Sequence, residues 1–232
     1  MSLDFEKHPV DINNSLKIFH KEVLDTSKNI IDLLTNITEY RDTGSGRHAR
    51  RTKDLMEILV FELLRDPKFS YELEKMDYKK VIRSTPLHDV GKIAIPDRIL
   101  LKKGKLSINE MQIIKYHPLV GSEIIESVKS CIDDTYFNCC HDICLYHHES
   151  WDGSGYPYGL SGKEIPLSAR ILSVVDSYDA LTSERPYKKA YSHESAINII
   201  EKEKGLKFDP DILNVFLEFS NKFSYGINYL GM

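Results

Sequence analysis

Pro86-Leu87-His88-Asp89-Val90-Gly91-Lys92 places an imidazole and a carboxylate side by side at what reads as the end of a helix. Around Gly91 the backbone need not keep helical spacing, so the adjacent His and Asp can both face one metal ion. A lone His-Asp dipeptide is common and is a weak signal. His48, His117, His147, His148 and Asp176, each in a context of its own, turn the pair into a metal-site hypothesis.

The chain has 232 residues, enough for one sizeable core with a short accessory segment. Its net charge of -4 leaves no general basic footprint for duplex nucleic acid or an anionic membrane, so any phosphate site must be local. No apolar run is long enough to span a bilayer, and the first residues lack the pattern of a signal peptide, which makes the cytoplasm the expected location. Cys131, Cys139, Cys140 and Cys144 crowd into one segment beside His141 without a paired CxxC spacing, and are read as helix packing rather than a zinc site.

Over residues 11–39, Ile12, Leu16, Phe19, Val23, Ile30, Leu33, Leu34 and Ile37 recur mostly at steps of three, four and seven, which predicts an amphipathic helix. It can be a first bundle helix, a dimer stalk or a link to another module. A Gly-containing loop then turns into a second helix, with His48 near its start. Ser107-Ile108-Asn109-Glu110 fits a capping box and opens a helix that runs towards His117. His117 falls at a junction between helices, where a side chain can be aimed inward without belonging to an apolar stripe.

His147 and His148 are adjacent, and neighbouring helical residues diverge by roughly a hundred degrees. Both reach one centre most easily at a helix terminus, which the following Trp151-Asp152-Gly153-Ser154-Gly155-Tyr156-Pro157 supplies. The predicted helix through Asp176 is apolar on nearly all sides. A carboxylate buried there costs several kcal/mol (roughly) unless it is paired or metal-bound, and the same argument is weaker for Asp179. Beyond that helix, Arg185 can fork onto a phosphate oxygen.

His48, His88, Asp89, His117, His147, His148 and Asp176 are all imidazole or carboxylate, a set that suits divalent iron, manganese, nickel or zinc. That is more than one catalytic ion can use with positions left open, so two ions bridged by a carboxylate such as Asp89 are expected. Such a pair acidifies a shared water for in-line attack on phosphorus, with Lys92 and Arg185 adding positive charge. Phosphoester hydrolysis is the natural reaction class. Spacing alone leaves a di-iron oxygenase open, although those sites are usually richer in Glu.

His88-Asp89-Val90-Gly91-Lys92, His147-His148-Glu149, Asp152-Gly153-Ser154-Gly155-Tyr156-Pro157 and Asp176-Ser177-Tyr178-Asp179-Ala180-Leu181-Thr182-Ser183-Glu184-Arg185-Pro186-Tyr187, in this order, resemble the HD-GYP domain. That group belongs to the HD-domain phosphohydrolases. The likeness extends from residue 41 to residue 211 or thereabouts. It implies an all-α HD-domain helical bundle, here with the amphipathic segment 1–39 preceding a domain over 40–232.

The resemblance also implies a metal-dependent phosphodiesterase that opens cyclic di-GMP to pGpG, and in some members on to GMP. By position, His48, His88, Asp89 and Asp176 would hold one ion, and Asp89 would bridge to a second held by His117, His147 and His148. Iron or manganese is the usual metal. Asp89, Lys92 and Arg185 take catalytic positions, and Lys92, Gly155, Tyr156, Pro157, Arg185 and Tyr187 fall where substrate contacts are expected. The Gly-Tyr-Pro loop is further associated with diguanylate cyclase partners, and a homodimer is in keeping with the N-terminal helix. Many members carry a Glu four residues before the first His, where it helps hold a third ion. Gly44 stands there, so a binuclear centre is expected, with pGpG the main product. A sensor that binds the dinucleotide without turnover, or a hydrolase of another cyclic dinucleotide or phosphoester, is the alternative reading.

Overall fold

The computed structural model describes residues 33, 35, 37–42, 47–184 and 189–220. Within them regular structure is helical, and β pairing is confined to two isolated bridges, Asp152 to Ser161 and Lys204 to Phe208. The fold is therefore all-α, as the motif resemblance implies. Most of the amphipathic segment over 11–39 lies outside the described residues, as do Arg185 and Tyr187.

The helices are α1 (Arg47–Leu63), α2 (Pro67–Lys75), α3 (Tyr78–Ser84), α4 (Asp97–Leu100), α5 (Ile108–Lys115), α6 (His117–Ser127), α7 (Asp134–Tyr146), α8 (Leu167–Thr182), α9 (His193–Lys202) and α10 (Pro210–Glu218). Between α3 and α4 the chain tightens into two 3-10 turns, Thr85–Leu87 and Val90–Ala94, which flank His88 and Asp89. Several starts are set locally by side chains that accept orphan backbone N–H groups. Asp66 caps α2, Asp133 caps α7, Ser192 caps α9 and Asp209 caps α10. Ser107 and Glu110 form the capping box of α5 that the spacing predicts.

Leu55, Met56, Leu59, Val60 and Leu63 recur at helical spacing on α1 and are buried against Ile171, Leu172, Val175 and Tyr178 of α8. Ile212, Leu213 and Phe216 of α10 complete this core. Each such side chain, fully buried, contributes about 1.5–3 kcal/mol. A buried ion pair, Arg170 Nη1 to Asp209 Oδ2 at 2.7 Å, ties α8 to the start of α10. A second, smaller cluster joins Leu87 and Val90 to Ile125, Tyr136, Phe137, Cys140 and Cys144. The four cysteines are free, and Cys139, Cys140 and Cys144 are buried, in keeping with a packing role.

One glycine decides how the two 3-10 turns meet α6. A Cβ on Gly91 would lie 2.0 Å from the carbonyl oxygen of His117 and 2.5 Å from the amide nitrogen of Gly121. Both obstacles are backbone and cannot swing away. Only a glycine lets the chain after Asp89 press onto the start of α6, and that contact brings His117 to Asp89.

Candidate metal centre

All but one of the candidate ligands come from the ends of helices or the breaks between them. His48 enters from the first turn of α1, and His88 and Asp89 from the break between the 3-10 turns. His117 is the first residue of α6, His147 caps α7 with His148 directly after it, and Asp176 lies within α8. The single ligand-bearing residue inside a long helix is the one whose burial argument the sequence supports.

Asp89 is the common member. Its Oδ1 lies 3.3 Å from His117 Nε2 and 3.9 Å from His147 Nε2, while Oδ2 lies 3.3 Å from His88 Nε2. Asp176 Oδ1 stands 3.6 Å from His48 Nε2 and 3.9 Å from His88 Nε2. Two groups of donor atoms thus form, Asp89 with His117, His147 and His148, and Asp89 with His48 and His88. Within each group the atoms lie within 4.8 Å of one another.

The imidazole tautomers follow from the outer nitrogens. Nδ1 of His88 meets the Thr85 carbonyl at 2.9 Å, Nδ1 of His117 that of Ile114 at 2.8 Å, and Nδ1 of His147 that of Ile143 at 2.9 Å. A carbonyl only accepts, so each Nδ1 carries a proton, and in its neutral form each ring turns a bare Nε2 lone pair inward. Nε2 of His88 is buried with no hydrogen-bond partner. Nε2 of His117 and Nε2 of His147 face each other at 3.2 Å. Two inward lone pairs at that distance repel unless a cation lies between or beside them, so the donor set fits divalent metal.

Charge in the cluster is unevenly shared. Burial drives His147 down to about 3, helped by His88 and His117, and drives His148 well below its ordinary range. Both are neutral and ready to coordinate. Burial also works against the His88 cation, but Asp89 and Asp176 outweigh it and lift that ring to about 9. For Asp89 burial favours the neutral acid, yet Lys92 and His88 hold its carboxyl well below the usual range.

Lys92 Nζ lies 2.7 Å from Asp89 Oδ2 and 2.7 Å from Asp42 Oδ2. Asp42 is held there by its neighbour: Arg41 donates to the carbonyls of Ile93 at 2.7 Å and of Ile95, and pairs with Asp97 at 2.7 Å. Thr38, Glu39, Asp42, His48, His88, Asp89 and Lys92 help to line a cavity of about 20 Å³, room for one water-sized molecule.

Behind His48 stands Asp179. Its Oδ2 is 2.6 Å from His48 Nδ1, and Arg51 grips it through Nε at 2.6 Å and Nη2 at 3.0 Å. The Asp179 side chain is 1% exposed against 23% for Asp176, and its carboxylate is taken up by hydrogen bonds to His48 and Arg51 near the end of α8. A carboxylate on the outer nitrogen fixes a ligating imidazole's tautomer and orientation. Glu149, buried, accepts from the backbone N–H of Tyr158 at 2.8 Å and of Leu160 at 3.1 Å, and so shapes the Gly-Tyr-Pro loop. A Cβ on Gly155 would lie 2.3 Å from the Ser150 nitrogen, which explains the glycine there. The Tyr156 ring stacks on His148, centroids 4.7 Å apart and planes 25° apart.

The HD domain family profile matches residues 32–212. The chain belongs to the HD domain family. Among curated relatives, this HD domain is 39% identical over 211 residues to a cyclic di-GMP phosphodiesterase of Vibrio cholerae, covering 90% of this chain and 43% of that one. It is 38% identical over 204 residues to a cyclic di-GMP phosphodiesterase of Thermotoga maritima, covering 88% of this chain and 52% of that one. The chain therefore spans about half the length of the curated relatives it matches. The crystal structure of a cyclic GMP-AMP specific phosphodiesterase of V. cholerae shares the fold, with TM-score 0.55 and 18% identity over 87% of this chain and 51% of that one. Among the described residues no helix is long and apolar enough to cross a membrane.

The structure brings His48, His88, Asp89, Lys92, His117, His147, His148, Tyr156 and Asp176 to one place. Sequence reasoning assigned no role to Asp42, Arg51 or Glu149. Asp42 is helical and Lys92 lies in the second 3-10 turn, 50 positions away, and a pair so far apart gives no local sign of pairing. Glu149 carries a weak sign, a carboxylate directly ahead of a turn rich in backbone N–H groups.

Proposed function

We propose that this HD domain is a cyclic dinucleotide phosphodiesterase of the HD-GYP type, which opens cyclic di-GMP to pGpG. The single observation that carries the reading is that Asp89 presents one oxygen to His88 and the other to His117, so that two donor groups share one carboxylate. His48, His88, Asp89 and Asp176 would hold one divalent ion, and Asp89, His117, His147 and His148 the other. Iron or manganese suits these donors, with nickel and zinc as the nearest alternatives. Bound there, the two ions would neutralise a phosphodiester and acidify a water for in-line attack.

The chain's own residues do the positioning. Asp42 and Asp89 hold the Lys92 ammonium beside the shared carboxylate, where it can meet a phosphoryl oxygen. Asp179 and Arg51 fix the His48 ring, and Tyr156 covers His148. Arg185 follows α8 by three residues and would bring a planar guanidinium to the same phosphate, with Tyr187 beside it in sequence. Gly155, Tyr156 and Pro157 would contact substrate beside His148, and the exposed Tyr158 is where a diguanylate cyclase domain would touch the loop.

The test is hydrolysis of cyclic di-GMP by anaerobically prepared protein, loaded separately with iron(II) and manganese(II), with cyclic GMP-AMP in parallel. Conversion of cyclic di-GMP to pGpG supports the assignment. Faster cleavage of cyclic GMP-AMP would move the substrate, and binding without cleavage by fully loaded protein would make the domain a sensor.

A further inference from the structure

A cyclic dinucleotide carries two phosphodiesters in one ring, and a metal centre engages the one being cut. The second is a full negative charge that stays bound only if something answers it. Lys92 is poorly placed to do so, because Asp42 and Asp89 hold its ammonium beside the shared carboxylate, where the phosphate being cut would lie. Lys115, the last residue of α5, differs. It forms no ion pair among the described residues, is half-buried, and holds its Nζ 4.9 Å from the centroid of the Tyr156 ring. Tyr156 in turn stacks on His148 of the donor cluster. Lys115 is thus one aromatic ring away from the centre, with its charge uncommitted and its stem fixed two residues before His117.

We infer that Lys115, steadied over Tyr156, binds the phosphate that is not cut and so selects cyclic dinucleotides over simple diesters. This rests on the proposed cyclic dinucleotide activity. An ammonium supported by an aromatic face loses less freedom on meeting an anion than one on a free stem, and a charge-assisted hydrogen bond strengthens as water leaves the site. A lysine in the last turn of a helix also complements the helix dipole, a purely structural use. The experiment must therefore read selection between substrates rather than activity alone.

Steady-state kinetics of metal-loaded parent, K115M and K115R are compared on cyclic di-GMP and on bis-para-nitrophenyl phosphate, which has one phosphodiester only. The expected result for K115M is a KM for cyclic di-GMP raised roughly ten- to a hundredfold, with kcat little changed and the preference over the simple diester reduced in proportion. K115R should recover most of it. Equal losses on both substrates, or an unchanged KM for cyclic di-GMP, overturn the assignment of Lys115 and leave the proposed function standing. If the parent cleaves the simple diester but neither binds nor cleaves any cyclic dinucleotide, the substrate reading itself has failed, and Lys115 with it.

Discussion

Lys92 Nζ sits 2.7 Å from Asp89 Oδ2, the same oxygen that faces His88 Nε2 at 3.3 Å. Lys92 is thus held against the shared carboxylate, and Asp42 holds it from the far side. Removing the ammonium in Lys92→Met takes away charge aimed at the phosphoryl group and should lower kcat/KM about 10²- to 10³-fold. Asp42→Asn should act through Lys92. A double-mutant cycle on kcat/KM is then expected to show a coupling of at least about 1 kcal/mol. Additive losses would mean that Asp42 does not position Lys92.

Asp89 is the carboxylate common to both donor groups, so its loss should be felt at both. With Gly44 where many HD-GYP members carry Glu, the parent is expected to bind two ions per chain. Asp89→Ala should bind less than one, at unchanged helicity by circular dichroism. Elemental analysis after anaerobic loading decides the matter. Two ions retained by the variant would remove Asp89 from the bridging position, and three in the parent would overturn the binuclear centre.

What was legible in the sequence was local or forced by burial. The Ser107 and Glu110 capping box needs four residues and no tertiary contact, and it forms as read. Asp176 stood out because its helix is apolar on nearly every side. The motif resemblance implies two donor sets around Asp89; the structure groups Asp89 with His117, His147 and His148 and with His48 and His88, and Asp176 falls in neither group. The partners of Asp179, three residues further along the same helix, leave no such mark: His48 and Arg51 come from α1, more than a hundred positions away. The clamp on Lys92 was hidden for the same reason. Long-range pairing of charges leaves no periodic trace, whereas helix faces and caps do.

Gly91→Ala offers a test of packing rather than charge. The added methyl would need to sit 2.0 Å from the His117 carbonyl oxygen, so the 3-10 turn after Asp89 must retreat from α6. A loss of about 2–3 kcal/mol in unfolding free energy is expected, the upper range for an overpacked site. Asp89 and His117 would separate, and metal content should fall with stability. Chemical denaturation and metal counting on one preparation read both. An unchanged midpoint would show that the contact between the turn and α6 is looser than the structure has it.

Asp179 gives a pH dependence whose sign can be worked out. Burial alone would raise its carboxyl, but His48 and Arg51 outweigh that and hold it at about 2. An unfolded Asp titrates near pH 4, so the folded state binds this proton more weakly than the unfolded state does. The contribution to stability is complete above about pH 4. It is lost as pH falls through about 2. Asp179→Asn removes the charge that Arg51 and His48 share and should cost about 2–3 kcal/mol near neutral pH. With metal chelated, urea unfolding of parent and variant should show that gap constant from neutral pH down to about 4, then shrinking as acid protonates the parent carboxyl. A gap that stays constant to the lowest pH at which both fold would mean that Asp179 stabilises by shape and hydrogen bonding, and that its charge contributes little.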